Sequence, residues 1–204
     1  MAQPLDLTRI GAVYTIGSNY RDPTNPNTKG PERPLVFGKA ASSVVGNGAT
    51  ISWDRSLSAN VDGECELGVL MGAGGVVSGY TIVNDMTSRD AWLDGDQWLL
   101  GKSMPGFCPV GPVLVPASEL DPSDLSLTFK VNGVRVQDAR TSLMRFSIPQ
   151  IIEFLGRHIA LREGDLISTG TPVRLGPQAE RHLEPGDVMT CWIEGIGELT
   201  NAIS

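Results

Sequence analysis

The sequence predicts a mainly β protein with some α character and few short helices, and three observations carry that expectation. Turn formers are dense: the 204 residues include 24 glycines and 14 prolines, and Pro-Gly, Gly-Pro and Asn-Gly pairs recur. Between those turns lie short apolar or alternating runs of strand length. Residues 147–158 form the best helical stretch, with Ser147 as N-cap, Pro149 in the first turn, and Ile148, Ile151, Ile152 and Leu155 on one face.

Residues 10–16 read as the first strand. Residues 17–34 contain Pro23, Pro26, Pro31 and Pro34 without regular periodicity; a loop of that length is usually functional, so a lid is expected. Residues 35–39 and 43–45 read as short strands, followed by a Gly46-Asn47-Gly48 turn. Strong strands over 64–71 and 76–85 are joined by Gly72-Ala73-Gly74-Gly75, which admits a hairpin or tight loop but no helix. The clearest hairpin pairs 126–131 with 134–137, because Asn132-Gly133 tolerates the two positive φ angles of a type I′ turn. Strands over 164–168, 187–193 and 197–203 complete the series. No internal repeat or low-complexity linker divides the chain, so residues 1–204 are expected to form a single domain.

An apolar content of 41% and a charged content of 19% fit an ordinary globular protein, and a chain this long buries roughly 70% of its unfolded surface without staples. The net charge of −7 disfavours nucleic acid or an anionic membrane as partner. Cys65, Cys108 and Cys191 are odd in number and far apart, and Met1-Ala2-Gln3-Pro4-Leu5 lacks the pattern of a targeting segment. Reduced thiols in a cytoplasmic protein are therefore expected. No window approaches 18 apolar residues, which excludes a transmembrane helix.

The chemistry centres on Glu64-Cys65-Glu66-Leu67-Gly68-Val69. Acids at i and i+2 of a strand share one face, and on a buried face they repel unless a cation lies between them. Asp85 closes a second apolar run, Gly79-Tyr80-Thr81-Ile82-Val83. Three carboxylates without a nearby His or Cys pair suit Mg²⁺ or Mn²⁺ better than zinc. A solvated strand face is the alternative, and Arg89, Asp90 and Lys102 weigh against it. Lys102, after Leu99-Leu100-Gly101, is either a snorkelling surface lysine or a cation for a substrate carboxylate or developing enolate. His158 suits a helix C-terminus, and His182, in a polar loop, reads as solvent-exposed. The chain has no Gly-x-Ser-x-Gly elbow, P-loop or Gly-x-Gly-x-x-Gly fingerprint, which removes the usual nucleotide-binding and serine-hydrolase readings.

Several segments, in order, resemble the fumarylacetoacetate hydrolase superfamily, specifically its C-terminal catalytic domain. They are Glu64-Cys65-Glu66-Leu67-Gly68-Val69, Gly79 through Asp90, Gln97 through Ser103, Phe107-Cys108-Pro109-Val110-Gly111-Pro112, Val131-Asn132-Gly133, Gln137-Asp138, Gly164-Asp165 through Gly170-Thr171-Pro172, and Pro185-Gly186-Asp187 with Ile193-Glu194-Gly195-Ile196-Gly197. The resemblance implies a compact β-roll, usually a homodimer, with Mg²⁺ or Mn²⁺ held by Glu64, Glu66 and Asp85. It places Lys102, Arg89 and Thr171 as catalytic groups and Tyr20, Trp92 and Gly170 at the substrate. It implies cleavage of a C–C bond in a small oxo acid or β-dicarbonyl, with oxaloacetate-type decarboxylation or enol–keto isomerisation as alternatives.

Two departures bear on that choice. Relatives commonly place a His, and a Glu three residues on, after the segment matching Gly17-Ser18-Asn19-Tyr20-Arg21-Asp22, to activate water; here Pro23 and Pro26 follow, and no His precedes His158. A metal-bound water, Asp22 or Glu32 would have to serve instead. Relatives also often carry Gln where this chain has Trp92, which is read either as an apolar pocket wall or as plain core. The segment between Met71 and Gly79 is shorter than usual as well. Decarboxylation and tautomerisation need no water nucleophile, and a relative that binds without turnover is the third reading.

Overall fold

A computed structural model describes residues 1–25, 27–90, 97–176 and 179–204. Its strands are β1 (Gln3–Pro4), β2 (Val13–Gly17), β3 (Leu35–Lys39), β4 (Val44–Val45), β5 (Thr50–Ile51), β6 (Val61–Asp62), β7 (Cys65–Met71) and β8 (Val77–Asn84). They continue as β9 (Thr87–Ser88), β10 (Cys108–Pro116), β11 (Ser126–Val131), β12 (Val134–Arg140), β13 (Leu166–Ser168), β14 (Val188–Ile193) and β15 (Gly197–Ile203). Helices α1 (Trp98–Lys102) and α2 (Ile148–Gly156) are the α-helices among the described residues, so the protein is mainly β as expected.

The larger sheet runs β1-β10-β8-β7-β13-β2-β3, with β4 also paired to β10; the second runs β12-β11-β14-β15-β5, and β6 pairs with β9. Strand β7 sits between β8 and β13 and is antiparallel to both, with Glu66 opposite Val83 and Ser168 opposite Gly68. Both faces of β7 are covered. Cys65, Leu67, Val69 and Met71 belong to the main core, which includes Leu127, Phe129, Met189 and Cys191 from the second sheet. The alternate face carries Leu70 into a smaller cluster of Val13, Val83, Cys108, Val110 and Leu166, and Glu66 shares that face. A strand buried on two faces reads as a continuous apolar run, which is why an acid in it is conspicuous.

The expected local elements form with boundaries moved by one to three residues. Asn132 at φ 51° and Gly133 at φ 77° make the hairpin turn between β11 and β12. In α2, Gln150 Oε1 accepts from the Ser147 backbone N–H at 2.9 Å and its hydroxyl at 3.0 Å, while Ile148, Ile151 and Leu155 are buried. The helix stops at Gly156; His158 lies beyond it, its ring 5.1 Å from that of Phe154. A 3-10 turn, Ala73–Gly75, joins β7 to β8. Between β2 and β3, the described part of residues 18–34 is a loop, tied down by a bridge between Tyr20 and Met144. Cys65, Cys108 and Cys191 are free and buried, and no described helix is long and apolar enough to cross a membrane.

Candidate active site

Glu64 directly precedes β7, Glu66 lies within it, and Asp85 directly follows β8, where its N–H donates to Glu64 O at 2.8 Å. This hairpin register brings one ligand atom of each carboxylate within 4.8 Å of the others. Asp85 is clamped between two ammonium groups. Lys39 Nζ donates to Asp85 Oδ1 at 2.5 Å and to Met86 O at 2.9 Å. Lys102 Nζ donates to Asp85 Oδ2 at 2.6 Å and Thr87 Oγ1 at 3.0 Å, and lies 3.5 Å from Glu64 Oε2. Burial alone would raise the Asp85 pKa, but Lys102 and Lys39 more than offset it and hold the group below the ordinary carboxylate value. Burial would lower the Lys102 pKa, yet Asp85 and the two glutamates drive it above the usual ammonium value. Arg89 spans the next layer, with Nε on Asp62 Oδ2 at 2.8 Å and Nη2 on Glu64 Oε1 at 2.6 Å.

Glu66 differs. Its Oε2 accepts from Ser168 Oγ at 2.6 Å and from the Gly170 N–H at 2.7 Å, and both donors are neutral. Burial first, then repulsion from Asp85 and Glu64, pushes its pKa up to about 8. A further positive charge at the triad would relieve that repulsion. The donors are hard carboxylate oxygens, so the residues present fit Mg²⁺ or Mn²⁺ and not a thiolate- or imidazole-bound metal.

Gly170 holds this arrangement by being glycine. Its φ is 101°, and a Cβ there would lie 2.7 Å from Asn19 Cβ and 2.8 Å from Ile16 O. Gly170→Ala is expected to cost roughly 2–4 kcal/mol, from backbone strain plus overpacking, and to lower the urea midpoint accordingly. An unchanged midpoint would show that the loop relaxes freely.

A cavity of about 720 Å³ opens over the triad; Tyr20, Arg89, Lys102 and Thr171 line it with Glu64, Glu66 and Asp85. The Thr171 hydroxyl donates to Cys65 O at 3.0 Å and accepts from Gln137 Nε2 at 2.8 Å, while Gln137 Oε1 accepts from Cys65 N at 3.0 Å. Thr171 and Gln137 thereby pin the backbone between the two glutamates. The Tyr20 hydroxyl is buried and has no hydrogen-bond partner among the described residues.

Other sequence expectations land elsewhere. Gly170 gives its N–H to Glu66 and is absent from the cavity wall, and Trp92 lies outside the described residues. Asp90 is removed from the triad: it accepts from Ser58, Ala59 and Asn60 and fixes that loop. Glu32 is exposed and off the cavity wall; Asp22 lines the wall, but its Oδ1 accepts from Thr24 N at 2.8 Å and Thr24 Oγ1 at 2.6 Å. His182 is not simply solvent-exposed. Leu183 N–H bonds Val61 O at 2.8 Å, which draws the segment alongside β6 and sets His182 Nδ1 2.8 Å from Asp62 Oδ1.

Lys39 and Asp62 were not among the expected site residues. Lys39 carried only a partial signal: it shares one face of its strand with Phe37 and Leu35, but nothing in the sequence says that this face meets the triad. Asp62 carried none, because its partners Arg89, Arg174 and His182 lie 27, 112 and 120 positions away in sequence.

A family model described as "Fumarylacetoacetate (FAA) hydrolase C-terminal" matches residues 12–204. The chain belongs to the fumarylacetoacetate hydrolase family. An uncharacterised protein of Staphylococcus aureus (strain USA300) is 40% identical over 211 residues, covering 97% of this chain and 70% of that protein. Among solved structures, a fumarylacetoacetate hydrolase from psychrophilic Exiguobacterium antarcticum is similar at a TM-score of 0.87 and 36% identity, over 95% of this chain and 74% of that one. A 5-carboxymethyl-2-hydroxymuconate delta-isomerase from Mycobacterium smegmatis is similar at 0.86 and 33%, over 100% of this chain and 81% of that one. Hydrolase and isomerase names on the same fold support enzymatic activity for this family member in general.

Proposed function

We propose that this fumarylacetoacetate hydrolase family member is a Mg²⁺- or Mn²⁺-dependent enzyme that cleaves a C–C bond in a small oxo acid or β-dicarbonyl, with Glu64, Glu66 and Asp85 holding the metal. The observation that carries the reading is Glu66, a buried carboxylate facing two others with only neutral donors of its own. The bound cation would supply Lewis-acid polarisation of the oxo group. Lys102, fixed by Asp85 and Thr87 and kept protonated, sits on the cavity wall where it can stabilise oxyanion charge. Burial and the nearby Glu66 raise the Tyr20 phenol well above its usual pKa, so it retains its proton and acts as a donor to a bound oxygen.

A second reading, decarboxylation or enol–keto isomerisation on the same site, is favoured by one observation. Asp22, the acid of the 17–34 loop that reaches the wall, is turned onto Thr24, and no histidine lines the cavity among the described residues. Reactions without a water nucleophile do not need such a base. The isomerase name of the M. smegmatis structure is consistent with this reading.

The test is an activity screen of metal-stripped and reloaded protein on oxaloacetate, acylpyruvates and hydroxy-diene dioates, with product identification. Turnover is expected only with Mg²⁺ or Mn²⁺, and Lys102→Met should lower kcat by roughly 10²–10³-fold, the scale for removing one oxyanion donor. Carbon dioxide release, or an absorbance change without incorporation of water oxygen, would select the second reading. Tight metal binding with no turnover on any of these compounds would overturn both.

A further inference from the structure

We propose that Arg145, assisted by Lys29, forms a second anion subsite on the loop side of the cavity, so that the preferred substrate carries a carboxylate remote from the oxo-acid head. This rests on the reading above for the head itself.

The charge pairing along the cavity wall singles out these two residues. Lys102 pairs with Asp85, Arg89 pairs with Asp62 and Glu64, and Arg174 Nη1 lies 3.5 Å from Asp62. Arg145 and Lys29 also line the cavity, and neither forms an ion pair among the described residues. The Arg145 backbone is held firmly, its N–H on Asn19 O at 2.6 Å and the next N–H, of Phe146, on Asn19 Oδ1 at 2.9 Å. Its guanidinium, by contrast, has one bond, from Nη2 to Thr28 O at 3.2 Å, and its buried Nε has no acceptor among the described residues. The side chain is half-buried, and a guanidinium offers five donors in a fork matched to a carboxylate.

The loop is shaped to leave this fork in place. A Cβ on Gly30 would lie 2.5 Å from Arg145 Cζ and Nε, so glycine allows the chain to lie flat on the guanidinium, with Lys29 between the two contacts at Thr28 and Gly30. The wall acids do not answer the charge, since Asp22 is bound to Thr24 and Glu180 is exposed and without an ion pair among the described residues. Phe37 stacked on Trp98, ring centroids 4.7 Å apart, gives the same cavity an apolar wall that suits the carbon chain of such a ligand.

The experiment compares two unreactive acids of equal length, 2-oxoadipate and 2-oxohexanoate, which differ only in the remote carboxylate. Each is titrated calorimetrically into the Mg²⁺-loaded protein. The wild type should bind 2-oxoadipate at least about tenfold more tightly, the scale of one charge-assisted bidentate contact. Arg145→Met should erase that gap while leaving 2-oxohexanoate affinity within about twofold, and Arg145→Lys should restore part of it. Equal binding of the two acids by the wild type would overturn the proposal. So would an equal loss for both acids in Arg145→Met, which would make Arg145 a strut for the loop. The 2-oxohexanoate arm separates the two readings: if it binds only with metal, the head-group reading stands even where the subsite fails, and if neither acid binds, both fall.

Discussion

Glu66→Gln is expected to abolish metal-dependent turnover and, in the same protein, to raise the stability of the metal-free form at pH 8. The carboxylate is buried with a pKa of about 8, against an ordinary value of 4.5. Between those two pH values the native state keeps a proton that the unfolded chain has lost, so stability falls as pH rises through the window and is fully present below about 4.5. Glutamine imitates the protonated form at every pH, and its side-chain carbonyl can still accept from Ser168 and Gly170. Urea denaturation in the presence of a chelator should therefore show the variant and the wild type converging near pH 4.5 to 5 and diverging in the variant's favour toward pH 8. Turnover should fall by roughly 10³-fold or more, since Lewis-acid stabilisation is worth several kcal/mol and each 1.4 kcal/mol is about tenfold. A variant less stable than the wild type at pH 8 would show that Glu66 is already compensated without metal. Such opposition between stability and activity is characteristic of a site whose strain is relieved by its ligand.

What could be read from the sequence divides by range. The acidic pair was legible because its meaning is local: an i, i+2 spacing in a strand fixes a shared face, and Leu67 and Val69 mark the opposite face as core. Asp85 was legible because it terminates the partner strand of the same hairpin, so register carries it to Glu64. The turn at Asn132-Gly133 and the start of α2 at Ser147 were legible for the same reason, since both depend on residues within three positions. Lys39 and Ser168 reach the triad through strands 46 and 102 positions from their acids, and pairing at that distance leaves no periodic trace. The second face of β7 was hidden too, because whether Glu66 meets solvent or protein depends on residues of β2, β10 and β13 that gather on that face from distant parts of the sequence. The cation count around the triad, which decides how much charge a metal must answer, therefore became visible only in the fold.

Lys39→Met carries the largest expected loss of stability. Its ammonium is wholly buried, spans Asp85 Oδ1 and Met86 O, and is one of only two cations among the described residues that contact Asp85. Removing it leaves a buried carboxylate half-compensated, and breaking a buried pair from one side costs about 3–5 kcal/mol, because the remaining charge keeps its desolvation penalty. For a chain of this size that corresponds to a fall in Tm of roughly 6–20 °C. Two comparisons separate this cause from simple misfit of the new side chain. Lys39→Met combined with Asp85→Asn should recover part of the loss, because the half-compensated carboxylate is gone and Lys102 keeps Glu64 Oε2 at 3.5 Å as counter-charge. Added Mg²⁺ should raise the Tm of Lys39→Met more than that of the wild type, since a cation at the triad would answer the charge that Lys39 no longer meets. If the double variant is no more stable than Lys39→Met alone, and Mg²⁺ shifts both proteins equally, Lys39 contributes through packing, and Lys102 alone is sufficient to hold Asp85 ionised.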